Sequence, residues 1–136
     1  MTDTITGSCL CGKVEFEVEN QFENLFFCHC QQCRKITGSA HASNLFGNPG
    51  GFRWLKGEED VKKFEYPDRQ FTTVFCKECG SGLPFLNSDG TKIIVPAGTL
   101  NSEPRFSKQS KIFYVEQAEW CQTSEQTKTF DGFPED

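Results

Sequence analysis

Seven of the eight cysteines in this 136-residue chain fall into three tight groups, Cys9-x-Cys11, Cys28-x-Cys30-x-x-Cys33 and Cys76-x-x-Cys79, and Cys121 stands alone. Thiolates are nucleophiles and soft metal ligands, so groups of this kind point to metal binding or thiol chemistry. Zinc takes four ligands, and two cysteines separated by two residues on a tight turn reach adjacent corners of its tetrahedron. Cys76-Lys77-Glu78-Cys79-Gly80 has that form, and Gly80 suits the reversal after the second ligand because glycine adopts positive φ without steric cost. Two closed all-thiolate sites would use eight sulfurs, whereas the three groups supply seven. One site is therefore incomplete.

Joining pair to pair, Cys9 and Cys11 with Cys76 and Cys79, closes a four-thiolate structural site and leaves Cys28, Cys30 and Cys33 to hold a second metal through three ligands. Catalytic zinc sites have that form, with the fourth position kept for water or substrate. A soft, sulfur-rich open position suits another thiol. Other readings stand beside this one. Disulfides or an iron-sulfur cluster would also use the four-cysteine group. Cys121 or His29 would close the triplet into a second structural site, and a metal-free cluster of reactive thiols would need no fourth ligand. His29 lies between two candidate ligands, and in an extended segment its side chain points away from theirs, toward a surface or hydrogen-bonding role. Cys121, beside Trp120, reads as a small buried hydrophobe.

The elements that would hold these residues read as strands. Lys13 to Glu19 (KVEFEVE) alternates strictly, with Val14, Phe16 and Val18 on one face, the mark of a half-buried strand. Asn24–Cys28, Gln70–Cys76, Lys92–Val95 and Lys111–Val115 are short runs rich in Phe, Ile, Val and Thr, and turn-forming residues interrupt the chain between them. These also read as strands, and their spacing predicts an all-β domain. Only Gln31–Ile36 offers a helical turn. One domain is expected over residues 1–136, with 122–136 as a polar tail carrying Phe130 and Phe133. The fourteen phenylalanines are expected chiefly in the core, with Phe27 and Phe46 as candidates for a pocket wall near the triplet.

Composition narrows the function classes. The chain carries 14 Lys and Arg against 19 Asp and Glu, a formal charge of −5, with no basic segment, which disfavours nucleic acid. No stretch is long and apolar enough to span a bilayer, and the first residues lack a secretory signal pattern. The expected setting is the cytoplasm, where disulfides are rare and clustered cysteines serve metals or catalysis.

The motifs as a set resemble the glutathione-dependent formaldehyde-activating enzymes and their centromere protein V-like relatives. Gly7-Ser8-Cys9-Leu10-Cys11-Gly12 is similar to the opening GxCxCG of that family. Cys28-His29-Cys30-Gln31-Gln32-Cys33-Arg34-Lys35 with Thr37-Gly38-Ser39 resembles its CHCxxCRK...GS segment, and Phe75 to Ser81 its FCxxCG knuckle. Ala97-Gly98-Thr99-Leu100 and the stretch from Lys111 to Trp120 match two later segments. Asn101 stands where the family often has Asp, and His41 where it often has an aromatic residue.

The resemblance implies a β-tent of small antiparallel sheets organised around two zinc ions per chain, one structural at Cys9, Cys11, Cys76 and Cys79 and one catalytic at Cys28, Cys30 and Cys33. It also implies carbon-sulfur lyase or synthase chemistry on a glutathione-formaldehyde adduct, with the triplet zinc activating the thiol. Arg34 and Lys35 are then candidates to receive a glutathione carboxylate, and His41 to act beside the aldehyde. The competing function is a non-catalytic two-zinc scaffold.

Overall fold

Strict alternation between Lys13 and Glu19 is realised as its period demands: Val14, Phe16 and Val18 are completely buried and the intervening glutamates face outward. The chain, described by a computed structural model over residues 3–68, 70–121 and 127–134, runs through eleven strands and one short helix. In order these are β1 (Thr4–Ser8), β2 (Glu15–Glu19), β3 (Phe22–Cys28), α1 (Gln31–Thr37), β4 (Ala42–Gly47), β5 (Arg53–Lys56), β6 (Val61–Glu65), β7 (Thr72–Cys76), β8 (Gly82–Leu83), β9 (Phe85–Leu86), β10 (Ile93–Pro96) and β11 (Phe106–Ile112).

They form three small sheets, with strand orders β1-β2-β5, β11-β3-β4-β10-β9 and β6-β7-β8. The fold is therefore β, as expected, with α1 where the single helical turn was read. Every strand pairing is antiparallel except that of β11 with β3, which is parallel. One buried cluster unites the sheets: Ile5, Phe16 and Val18 from the first, Phe22, Leu45, Ile93 and Val95 from the second, Val74 and Leu83 from the third. Phe52 and Trp54 close over Phe16, with ring centroids 5.9 and 6.3 Å away.

Two expectations need correction. Lys111–Val115 is a strand only as far as Ile112. Phe113 then takes φ 51°, a left-handed conformation, and the chain turns into a 3-10 segment at Tyr114–Glu116. The phenylalanines are not chiefly core: among the described residues only Phe16 and Phe22 are fully buried. In the expected tail, residues 122–126 and 135–136 lie outside the described residues, and Phe130 and Phe133 are 55% and 96% exposed.

Candidate metal centres and active site

Two groups of sulfur atoms come together. Cys9, Cys11, Cys76 and Cys79 form one, and Cys28, Cys30 and Cys33 the other; within each, the sulfurs lie within 4.8 Å of one another. Neither His29 nor Cys121 joins the triplet's group.

The four-cysteine group is built from two turns. After β1 the chain reverses at Gly12 (φ 80°), and after β7 it reverses at Gly80 (φ 80°). The second turn is fastened by Gly80 N–H donating to the Cys76 carbonyl at 2.7 Å. Leu10 N–H donates to Ser81 Oγ at 2.9 Å, and Lys13 pairs with Glu78 at 3.3 Å, so the turns also hold each other. Cys9 and Cys76 are buried, Cys79 is half-buried and Cys11 is exposed. The sulfurs stand at 3.6 Å for Cys9 to Cys11 and 3.8 Å for Cys11 to Cys76. Val14 N–H donates to Cys9 Sγ at 3.3 Å, and the Ser81 hydroxyl holds the Cys79 thiol down to a pKa of about 5. Donors aimed at sulfur stabilise thiolate, the form that binds metal.

The triplet is local. Cys28 ends β3, between Ala42 of β4 and Ile112 of β11. Cys30 caps α1, accepting from Cys33 N–H at 3.4 Å, and Cys33 lies inside the helix. The Tyr114–Glu116 segment clamps this unit: Gln31 N–H donates to Glu116 Oε1 at 3.1 Å and Arg34 to the Glu116 carbonyl at 3.0 Å. Cys28 and Cys30 sulfurs are 3.5 Å apart. Hydrogen bonding from the Cys33 thiol brings Cys28 down to about 6, and that interaction with Cys28 in turn pushes Cys33 far upward. Sulfurs crowded this way cannot all ionise unless a cation compensates them. Both donor sets therefore fit a thiophilic metal ion.

The two groups differ in what they face. The triplet opens on a cavity of about 1290 Å³, walled by β3, β4, β9 and β10 on one side and by residues of the β6-β7 hairpin on the other. Phe46 lines it as expected. Phe27 does not; it packs against the main core, and Phe26, two residues before Cys28 on the same face of β3, takes the wall position. Gln32 lines the cavity beside Cys33, and its Nε2 has no hydrogen-bond partner among the described residues.

Arg34, Lys35 and His41 are not among the residues that line it. Arg34 and Lys35 instead border a smaller depression with Trp120. His41 packs its ring on Phe27 and His29, at 5.1 and 4.9 Å, and its Nδ1 lies 3.2 Å from the Ala42 carbonyl. His29 points away from the sulfurs, as alternation requires, but it is 5% exposed and neither ring nitrogen finds a partner among the described residues. It lies between the rings of His41 and Tyr114, and burial lowers its pKa.

The profile of the family described as "Glutathione-dependent formaldehyde-activating enzyme" matches residues 4–116. The chain belongs to this family. A curated protein of Halomonas elongata, described as "Putative glutathione-dependent formaldehyde-activating enzyme", is 27% identical over 142 residues, covering 97% of this chain and 90% of that protein. A crystal structure of a Rhodobacter sphaeroides protein superposes with a TM-score of 0.62 at 22% identity, covering 78% of this chain and 100% of that one; it supports the fold alone. Membership in the glutathione-dependent formaldehyde-activating family associates the chain with glutathione-dependent activation of formaldehyde. Among the described residues no helix is long and apolar enough to cross a membrane.

Proposed function

We propose that this protein is a zinc-dependent carbon-sulfur lyase or synthase acting on an adduct of glutathione with an aldehyde, with structural zinc at Cys9, Cys11, Cys76 and Cys79 and catalytic zinc at Cys28, Cys30 and Cys33. The observation that carries this reading is the asymmetry of the sulfur groups: four thiols draw two turns together, whereas three thiols open on a large cavity. Bound at the triplet, zinc would supply a Lewis acid that keeps a thiol sulfur ionised near neutral pH.

The chain's own residues do the rest. Cys28, Cys30 and Cys33 are oriented by β3 and by the cap of α1. The cavity gathers thiol and aldehyde into one volume, replacing a bimolecular encounter with a positioned one. Gln32 is assigned to the aldehyde oxygen, because its buried Nε2 has no acceptor among the described residues and a rotation of this cavity-lining side chain would present it to the oxygen on which negative charge develops as sulfur adds to carbon. Residues 1–136 are read as one domain, since all three sheets feed one core. A reducing, cytoplasmic setting would keep its cysteines free, as they are here.

The test is zinc per chain by elemental analysis, before and after reduced glutathione and desalting, beside the rate at which glutathione forms its adduct with each of a panel of aldehydes, formaldehyde included, above the spontaneous reaction. Two zincs falling toward one, with a rate above background, is the expected result. A single zinc throughout and no acceleration would refute the assignment.

A further inference from the structure

The triplet accounts for one end of the cavity and leaves its apolar floor without a role. Phe46 on β4 stands in register with Ile94 on β10, and Ile94 with Phe85 on β9. Phe26 shares the face of β3 that carries Cys28, and its ring meets Phe46 edge-on, with centroids 5.0 Å apart at 82°. A strip of apolar side chains thus starts beside Cys28 and crosses the sheet, spanning about 10 Å between the strands of Phe46 and Phe85. Phe71 flanks the triplet end, packed against Cys28, Cys33 and Ala42.

Phe26, Phe46, Phe71 and Phe85 are only half-buried, in a chain whose core holds just two fully buried phenylalanines among its described residues. Aromatic surface left in contact with water at a cavity wall is a feature of binding sites. The cavity, at about 1290 Å³, also exceeds the roughly 300–1,000 Å³ of ordinary small-molecule pockets. A one-carbon aldehyde has no apolar body to lay on this strip, and a charged tripeptide thiol gains little from it. A flat ring does gain, because edge-to-face and offset contacts with Phe26 and Phe46 are open to it.

We propose that the aldehyde handled at this site is an aryl aldehyde, its ring lying along Phe26, Phe46, Ile94 and Phe85 and its carbonyl carbon at the cysteine triplet. This rests on the carbon-sulfur reading above. In the step concerned the thiolate sulfur donates its electron pair to form the S–C bond, the carbonyl π pair moves to oxygen, and that oxygen takes a proton from solvent. The reverse step breaks the same bond, and neither direction involves oxidation.

Two stable thioethers separate this proposal from the reading beneath it. S-methylglutathione and S-benzylglutathione share the tripeptide and the S–C bond, and they lack the hydroxyl that allows breakdown to aldehyde. Calorimetric titration of the zinc-loaded protein is expected to give the benzyl compound at least about tenfold tighter binding. That preference should collapse in Phe46→Ala and, separately, in Phe85→Ala, with thermal unfolding reporting whether each variant folds. In the unmutated protein the Ile94 methyl resonances should shift with the benzyl compound and not with the methyl one. Equal affinities, a preference that survives both folded variants, or a silent Ile94 would overturn the aryl subsite and leave the thiol reading standing. Binding of neither thioether would overturn the aryl subsite, and if reduced glutathione also failed to bind in the same titration the thiol reading would fall with it.

Discussion

The two sulfur groups use one element chemistry in opposite ways. The four-cysteine group takes its members from turns at residues 9–12 and 76–80, far apart in the chain, so it forms only when the first sheet and the third have come together. The triplet takes all its members from residues 28–33, one strand end and the first turn of one helix. Metal in the first group would cross-link the fold, and metal in the second would decorate a fold already made. Ligand number follows the same division, since a cross-link works best with a full set and a reaction needs a position left over.

Breaking the cross-link gives the largest effect. Cys76→Ser removes a completely buried thiol of the four-cysteine group. Apparent binding free energies of structural zinc run to about 10–16 kcal/mol in small modules, as large as the roughly 5–15 kcal/mol of a domain's net stability. Circular dichroism and denaturant unfolding should show no cooperative transition for this variant. Cys30→Ser should instead retain the fold, because serine is itself a strong helix N-cap and takes over the acceptor role toward Cys33 N–H. Its expected defect is one zinc fewer by elemental analysis and turnover no faster than the spontaneous reaction. Should Cys30→Ser unfold as readily as Cys76→Ser, the distinction between the groups would be lost.

Smaller changes sharpen the contrast. Gln32→Leu keeps the side chain's bulk and removes its amide, so kcat should fall by about tenfold or more with KM little altered, as steady-state kinetics would report. Gly80→Ala places a side chain at φ 80°, at a cost of about 1–2 kcal/mol. Differential scanning calorimetry should find Tm lowered by several degrees, with turnover at low temperature unchanged.

Sequence spacing carried the division of cysteines, because metal geometry acts over two or three residues and spacing records it. The alternation of Val14, Phe16 and Val18 likewise fixed the buried face of β2. Only the last two residues of β11, Lys111 and Ile112, fall within the run that reads as a strand, and the physical reason is that FSKQSKI is exposed nearly throughout, so no apolar period marks it and its place comes from pairing with β3. The cavity wall was mostly illegible too. Phe46, Ile94 and Phe85 meet through register across three strands, which no local pattern encodes. Arg34 and Lys35 were drawn into the site by adjacency to Cys33, yet the turn of α1 carries them to a different depression. Alternation could have exchanged Phe27 for Phe26, since Phe26 is the residue two places from Cys28.

The parallel partnership of β3 with β11, residues 22–28 beside 106–112, sets an order of events in time. Contacts between distant segments close late, and a chain emerging from the ribosome folds from its N-terminal side. Every sulfur of the four-cysteine group has been synthesised once Cys79 is made. The strand that carries Cys28 still lacks one neighbour, and the Glu116 clamp on α1 does not yet exist. Nascent chains should therefore be able to bring the four cysteines together before the cavity beside Cys28, Cys30 and Cys33 has its full walls, so that the surroundings of the triplet are the last part of the fold to be completed.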